Sequence, residues 1–434
     1  MTSGTDKDHV PFLGKGMLLP FVLVTTLFAL WGFANDITNP LVRVFKDVFQ
    51  ISNAQSSLVQ AAFYFGYFTM ALPAALLIQK YTYKTGILIG LALYAVGAFL
   101  TLPAANMLNF WLFILSFYIL TFGLAFLETT ANPYILSMGP PETATRRLNL
   151  AQAFNPVGSL TGMFIATSFI MGQIKVFELE DAAALASSNP SAFEAIQLAD
   201  LATVRTPYIS IGFIVLIMFL IFAFYRIPDT KKSNKVALGP TVKRLISNLN
   251  YREGVIAQAF YVGAQIMCWT YIIHYGIDVL GLKPSTASIY NIVAMVIFLC
   301  SRFICTFLMG FIKPNRLLVV FAIGAMAFTL STIFMTGMGG LYSLIGISAC
   351  MSLMFPTIYG LALDGLGEDA RIGSAGLIMA IVGGAFMPIL QGMMIDGGPI
   401  IGDIHAVKTS FLLPFICFIV VAIYGYRTIK REAV

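Results

Sequence analysis

Charged residues are scarce in this sequence of 434 residues. Asp, Glu, Lys and Arg make up 11% of the chain and hydrophobic residues 58%, whereas a soluble domain has about 25% charged residues. So few charges cannot keep a globule of this size in water, because large apolar surfaces would remain exposed. The composition therefore excludes a soluble protein and predicts an integral membrane protein.

Residues typical of catalytic and metal sites are also few. The five cysteines form no CxxC pair, so we expect free thiols. The three histidines form no cluster with Cys or Asp at metal-ligand spacing, and no GxxxxGK[ST] loop is present to bind ATP phosphates. The sequence therefore predicts neither an enzyme nor an ATP-driven pump, and it predicts no metal and no other cofactor.

Twelve apolar runs are long enough to cross a bilayer as helices, which takes about 20 residues at a rise of 1.5 Å. They are continuous rather than alternating, unlike the strands of a β-barrel. The predicted fold is an all-α integral membrane protein with twelve transmembrane helices, at 17–40, 54–79, 85–104, 108–138, 147–172, 206–226, 251–278, 286–311, 315–336, 340–363, 372–395 and 409–428.

Two polar segments organise the chain. The basic segment 227–250 separates six runs from six, and an intramembrane proline recurs in the fourth ("TANPY") and tenth ("MFPTIYG") runs. We therefore predict an N-terminal six-helix half, 1–226, a cytoplasmic linker loop, 227–250, and a C-terminal half, 251–434. The acidic segment 173–205 is predicted as an outer loop with a short helix that begins at a capping box at Ser191.

The distribution of lysine and arginine predicts the orientation. With both termini in the cytoplasm, 19 of the 26 Lys and Arg residues fall in inner segments, 6 in outer segments, and Arg302 lies inside a run. This asymmetry follows the positive-inside rule. We predict a multi-pass protein of a bacterial inner membrane with both termini cytoplasmic. The net charge of +6 follows from this topology and does not indicate a nucleic-acid partner.

Ionisable residues inside apolar runs are costly and usually functional. Glu128, in "GLAFLETTANPY", lies deep in the fourth run. We predict that it carries a proton, because burial favours the neutral carboxylic acid. The alternative is a structural glutamic acid, hydrogen-bonded between helices. Arg302, in the eighth run, is expected to pair either with a carboxylate or with backbone carbonyls.

The end of the first run, "WGFANDITNP", is polar and is interrupted by Pro40. Such backbone is tolerated in a membrane only against protein or a water-filled cavity. We therefore predict that Asn35, Asp36 and Asn39 line a substrate path. The alternative is that the helix has already reached the outer surface and that Asp36 is solvated.

Amide and aromatic side chains follow helical spacing in two further runs. Asn149, Gln152 and Asn155 share one face of the fifth run, and amides suit ligands rich in hydroxyl groups. Gln265 and Trp269, four residues apart, share a face of the seventh run. An aromatic ring beside amides can stack on the apolar face of a sugar. The alternative for each residue is ordinary helix packing.

Together these motifs resemble a known family. The segments "LWGFANDI", "AAFYFGYF", "KYTYKTGI", "LETTANPY", "RLNLAQAFNPVG", "YVGAQIMCW" and "FPTIY" occur in the order seen in the fucose–galactose–glucose:proton symporters of the major facilitator superfamily. The resemblance implies alternating access between two six-helix bundles, with Glu128 in proton coupling and sugar recognition and with Gln152 and Asn155 in contact with sugar. The residues that match aromatic and amide positions near the cavity are Trp31, Gln265 and Trp269.

Two positions depart from the pattern of the L-fucose permeases in that family. Their other essential carboxylate, an aspartate, falls where this chain has Asn39, and the neighbouring asparagine falls where this chain has Asp36. Either Asp36 supplies the carboxyl from about 5 Å along the helix axis, or coupling rests on Glu128 alone. Phe355 stands in place of a tyrosine in the tenth run. Phe355 and Tyr359 are candidate cavity or gating residues.

The resulting prediction is a monomeric secondary transporter in the lipid bilayer that imports L-fucose or a related hexose with a proton. Galactose, glucose and N-acetylglucosamine are alternative substrates, and sodium is an alternative cation. A uniporter or exchanger of the same fold is the alternative mechanism. A membrane sugar sensor is less favoured because the inner loop is short.

Overall fold

The computed structural model describes residues 11–432 except 39–40, 52, 57, 180–181 and 229–237. The described residues form helices and turns and no β-strand. Within this described part of the chain, twelve segments are long and apolar enough to span a membrane, which confirms the predicted fold. In chain order the spans are Leu18–Thr38, Leu58–Ile78, Tyr83–Asn106, Phe110–Ser137, Pro141–Gln173, Pro190–Phe224, Leu249–Val279, Ile289–Leu308, Pro314–Phe334, Met338–Leu363, Gly367–Asp396 and Ala406–Glu432.

Polar side chains determine where several spans begin. The Asn109 carboxamide oxygen accepts a hydrogen bond from the Leu112 N–H at 3.0 Å at the start of the fourth span. Asn248 accepts one from the Tyr251 N–H, also at 3.0 Å, at the start of the seventh. Each cap satisfies an N–H group that has no partner within its helix, so it stabilises the first turn.

The sixth span begins earlier than predicted. It is one helix of 35 residues, Pro190–Phe224, whereas the sequence predicts a span from 206 preceded by a separate outer helix. The cap is Asn189, whose carboxamide oxygen accepts from the Ala192 N–H at 3.2 Å and from the Ser191 hydroxyl at 3.0 Å. The predicted capping box at Ser191 is wrong because Asn189 followed by Pro190 is a stronger helix start.

Both described ends of the chain lie at one face of the helical bundle. The Gly14 N–H donates to the Met138 carbonyl at 2.8 Å, next to the end of the fourth span. The end of the twelfth span lies against the start of the seventh, where Arg431 and Glu253 form a salt bridge of 2.5 Å. We call this face the termini side and the other face the opposite side.

The predicted linker loop contains a helix on the termini side, Leu238–Ser247. Its Arg244 donates two hydrogen bonds to Asp369, at 2.7 and 2.8 Å, at the turn before the eleventh span. These bonds raise the pKa of the Arg244 guanidinium above its ordinary value. Residues 229–237 of the predicted linker lie outside the described residues.

The buried apolar side chains that the structure describes form two clusters. One is built mainly from residues 21–222 and the other from residues 257–424. The first cluster also contains side chains from the termini-side ends of the seventh, tenth and eleventh spans, including Tyr251, Tyr359 and Ile372. On the termini side, therefore, the second half of the chain packs directly into the core of the first.

Hydrogen bonds between the two halves also concentrate toward the termini side. Among the described residues, these bonds lie between the middle and the termini-side end of spans 2, 4, 5, 8, 10 and 11. They join Arg371 Nη1 to the Ile78 carbonyl at 3.2 Å, Ser374 Oγ to the Thr129 carbonyl at 3.3 Å, Asn149 Nδ2 to Thr357 Oγ1 at 3.2 Å, and Arg302 Nη1 to the Gln152 carbonyl at 3.2 Å. We call this set of contacts the seam.

The first and fifth spans cross at very short distance. A Cβ atom on Gly158 would lie 1.8 Å from the Ala29 carbonyl oxygen, and one on Gly32 would lie 2.0 Å from the Asn155 carbonyl oxygen. A larger residue at either position would force the helices apart. Small residues at helix crossings are the usual way in which membrane helices pack closely.

Candidate functional site

Glu128 lies in the fourth span, nine residues before Ser137, which places it about 14 Å from the termini-side end of that helix. Its side chain is 5% exposed. Among the described residues the Glu128 carboxyl makes no hydrogen bond and no ion pair. An unpaired carboxylate is expensive in such surroundings, so the neutral acid is favoured.

Two phenol groups lie near this carboxyl, one from each half of the chain. Tyr67 of the second span and Tyr359 of the tenth both interact electrostatically with Glu128. Both hydroxyls are buried and make no hydrogen bond of normal geometry to another described residue. Tyr67 lies beside the Asn35 amide and Tyr359 beside Ser374. Two neutral phenol groups, and no charged partner among the described residues, thus lie near the carboxyl.

Amides of the fourth and fifth spans extend this polar region. Gln152 Nε2 donates to Asn132 Oδ1 at 3.0 Å, and Asn132 follows Glu128 by four residues, on the same helix face. Asn149 Nδ2 donates to Thr357 of the tenth span. Asn132, Thr357 and Tyr67 are absent from the predicted site. Of these, only Asn132 carries a signal in the sequence, its spacing from Glu128.

The predicted amide face of the fifth span is interrupted. The helix is continuous over Ala144–Gln152, turns at residues 153–154, and resumes as Asn155–Ile165. The Asn155 side chain therefore points to the first span, where Nδ2 donates to the Phe28 carbonyl at 3.3 Å. Gln152 and Asn155 contact different helices, although the sequence spacing suggests a single stripe.

The Arg302 guanidinium contacts a backbone carbonyl, which is one of the two partners expected from the sequence. The side chain is 4% exposed, Nη1 donates to the Gln152 carbonyl at 3.2 Å, and the guanidinium carbon lies 4.7 Å from the centre of the Phe298 ring. Within the described part of the chain, Arg302 pairs with a carbonyl and an aromatic ring and not with a carboxylate. Both contacts stabilise a permanent cation.

The two candidate tryptophans lie in different halves of the chain. Trp31 is buried in the first half and stacks on Phe28, with ring centres 4.3 Å apart. Trp269 is half-buried in the second half, where Nε1 donates to Ser348 Oγ at 3.2 Å and the ring meets Phe298 edge to face at 5.1 Å. Phe298 therefore joins Trp269 to the Arg302 cation.

Three further candidates lie on the second-half side of the site. Gln265 is half-buried and makes no hydrogen bond among the described residues. Phe355 is half-buried and stacks on Tyr359, with ring centres 6.4 Å apart and an interplanar angle of 17°. The Tyr359 ring is fully buried. Of these residues, Tyr359 belongs to the first cluster and Phe355 packs against both clusters.

The polar end of the first span is described in part. Asn35 and Asp36 are half-buried, and Asp36 interacts electrostatically with Tyr64 of the second span. Asn39 lies outside the described residues. The role of Asp36 as a second carboxyl and the role of Asn39 in the substrate path therefore stay predictions.

Metal-binding groups do not cluster in the described part of the chain, where no three His, Cys, Asp or Glu side chains come together. All five cysteines are free thiols, four buried and one exposed.

Comparisons with known proteins agree with this architecture. The sequence model of the Major Facilitator Superfamily matches residues 22–389. The L-fucose-proton symporter of Haemophilus influenzae is 54% identical over 422 residues, which are 96% of this chain and 98% of that protein. The L-fucose-proton symporter of Escherichia coli is 36% identical over 426 residues, 97% of this chain and 95% of that protein.

The fold comparison gives the same result. The crystal structure of the transporter FucP in the outward conformation superposes with a TM-score of 0.86 and 35% identity, and covers 95% of this chain and 99% of that one. The predicted family is confirmed, and these relatives are named as transporters rather than enzymes. This chain is a member of the major facilitator superfamily.

Proposed function

We propose that the protein is a sugar:proton symporter that imports L-fucose or a related hexose by alternating access. The observation that carries the proposal is the buried Glu128 carboxyl, which faces both halves and has no counter-charge among the described residues. Similarity over almost the full length to two proteins named L-fucose-proton symporter supports the choice of sugar and cation.

Glu128 carries the proton in this proposal. The neutral acid is favoured while the site is dry, because an unpaired charge there is costly. When the seam opens, water reaches the carboxyl, the ionised form is solvated and the proton leaves. The carboxyl is reloaded only after the seam has closed and the opposite side is open. Sugar and proton therefore cross the membrane in the same direction.

The sugar binds between the halves, against amides of the first and aromatic rings of the second. The Asn132 NH2 group is buried without a hydrogen-bond partner among the described residues, so it is a donor available to a sugar hydroxyl. Gln152, which is hydrogen-bonded to Asn132, and Asn155 also contact the sugar in this proposal. From the second half, Trp269 offers an apolar ring face and Gln265 an amide.

The structure represents the state closed on the termini side. We place that side in the cytoplasm of a bacterial inner membrane, because Lys and Arg are enriched there. The site then opens outward, and the similarity to FucP in the outward conformation supports this assignment. The halves 1–226 and 251–434 rock as units, and one chain contains both, so a monomer suffices.

The first test measures external pH in lightly buffered, de-energised cells that express the protein. L-Fucose, D-galactose, D-glucose and N-acetylglucosamine are added in turn, and alkalinisation with one of them identifies the substrate. Glu128→Gln abolishes the signal, whereas Glu194→Gln, a change at an exposed carboxyl of the sixth helix, preserves it. Exchange of labelled sugar without any pH change would contradict symport and indicate a uniporter or exchanger.

A further inference from the structure

Four buried tyrosines form a layer between the halves on the termini side of Glu128. Tyr83 and Tyr134 come from the first half, Tyr251 and Tyr359 from the second, and none is more than 7% exposed. The Tyr83 and Tyr134 rings are 5.1 Å apart, and Tyr359 interacts electrostatically with Tyr83 and Tyr251. We call these four residues the tyrosine layer.

Tyr359 is the member of the tyrosine layer that also lies near Glu128, because its neighbour Ser374 is hydrogen-bonded to the backbone next to that residue. It lies four residues before Leu363, the termini-side end of its span, and so about 6 Å from that end. The corresponding distance for Glu128 is about 14 Å. The Tyr359 ring therefore lies between the carboxyl and the termini-side surface.

Bonds of the seam hold Tyr359 in this position. Ser374, which lies beside the Tyr359 hydroxyl, donates to the carbonyl of Thr129, the residue after Glu128. Thr357, two residues before Tyr359, accepts from Asn149 of the first half. Tyr359 belongs to the second half, whereas Glu128 belongs to the first, so any separation of the halves on this side moves the two apart.

We propose that Tyr359 is a positioning residue whose ring seals Glu128 from water on the termini side and whose hydroxyl faces the carboxyl from the second half. This inference rests on the proposed function. The seal opens when the halves separate on the termini side, which is the state in which the proton has to leave. Tyr359 thereby prevents Glu128 from exchanging protons with both sides at once.

The test is a proton-leak measurement on the full chain in proteoliposomes without sugar. An imposed pH gradient decays slowly with the wild-type protein. Tyr359→Ala removes the ring, so the gradient is expected to decay several-fold faster, because water exclusion is what prevents proton leakage. Tyr359→Phe keeps the ring and is expected to restore the wild-type leak. A merely structural role would not make the leak depend on Glu128.

Two further variants identify the path of the leak. Tyr424→Ala makes the same change at a tyrosine of the second half that is 2% exposed, has a hydroxyl without a partner among the described residues, and lies in the second cluster. It is expected not to leak. Combining Tyr359→Ala with Glu128→Gln is expected to abolish the leak, because the proton then has no carrier.

The outcomes separate this inference from the proposed function. If wild-type protein takes up protons with sugar but Tyr359→Ala does not leak, the seal is wrong and symport stands. A leak that persists in the double variant bypasses Glu128 and also overturns the inference. Absence of sugar-driven proton uptake in the wild type contradicts the proposed function instead. Tyr359→Leu, checked by labelled-sugar exchange, replaces the alanine variant if that variant does not fold.

Discussion

Glu128 and Arg302 are both ionisable and both buried between the halves, but their surroundings differ. Arg302 has a backbone carbonyl at 3.2 Å and an aromatic ring at 4.7 Å. Glu128 has neither a hydrogen bond nor an ion pair among the described residues, and two phenol groups face it. The surroundings of Arg302 stabilise a permanent charge, whereas those of Glu128 do not.

This difference assigns different roles to the two halves. A guanidinium stays protonated in proteins, so its environment has to stabilise the cation. A carboxyl can become neutral, and a site without a counter-charge favours that form. In the proposed transport cycle, the first half thus contributes the group that changes charge, and the second half contributes a fixed cation that binds the backbone of the fifth span.

The largest effect is expected at Glu128. Glu128→Gln removes the proton carrier but keeps the shape of the side chain, so the ratio of internal to external sugar in energised cells falls to unity. Exchange of labelled sugar across the membrane continues. Concentrative uptake by the glutamine variant would show that the proton moves by another route.

A smaller effect is expected at Arg302. Arg302→Met loses a desolvated cation–π contact worth about 2 kcal/mol, and uptake is expected to fall about 30-fold. Arg302→Lys keeps the charge without the planar guanidinium, so its uptake rate is expected to lie between those of Arg302→Met and the wild type. Initial uptake rates check both variants. Equal loss in Lys and Met would assign the role to guanidinium geometry rather than charge.

The seam gives a third and weaker effect. Thr357→Val removes the acceptor for Asn149 and costs about 1 kcal/mol, which shifts the balance between closed and open termini side about fivefold. Spin labels at the exposed positions Glu142 and Glu368 report this shift as a longer distance between the halves. Thr329→Val, whose hydroxyl bonds only within its own helix among the described residues, is the control and should leave the distance unchanged.

The smallest effect is expected at the exposed ion pair of the linker helix. Asp369→Asn removes the partner of Arg244, whose side chain is largely exposed, and should change the uptake rate by less than about twofold. The difference should shrink further at high salt, because ions screen surface charges. A large, salt-independent loss would place this pair among the groups that control the seam.

The sequence predicts the spans and the ionisable residues well, for a physical reason. An apolar run is a local property, and a charged residue inside it, such as Glu128 or Arg302, is visible without knowledge of its neighbours. The start of the sixth helix is missed because a polar cap at Asn189 extends a helix beyond its apolar part.

The partners of those residues are harder to predict. Tyr67 is one of 18 tyrosines, and nothing local distinguishes it. Its position beside Glu128, like the bond from Asn149 to Thr357, depends on which helix faces meet across the bundle. The turn at residues 153–154, after which Asn155 contacts the first span, likewise lies where the first and fifth spans pack closely. The exchange of Asp36 and Asn39 stays a prediction from the family resemblance.

The protonation state of Glu128 decides whether this carboxyl carries the proton. Infrared difference spectra of the purified protein at neutral pH, wild type minus Glu128→Gln, isolate the signal of this carboxyl. We expect the band of a protonated carboxylic acid in the sugar-free protein, and its loss when the termini side is opened to water. A carboxylate band in every state would contradict the claim that Glu128 carries the proton.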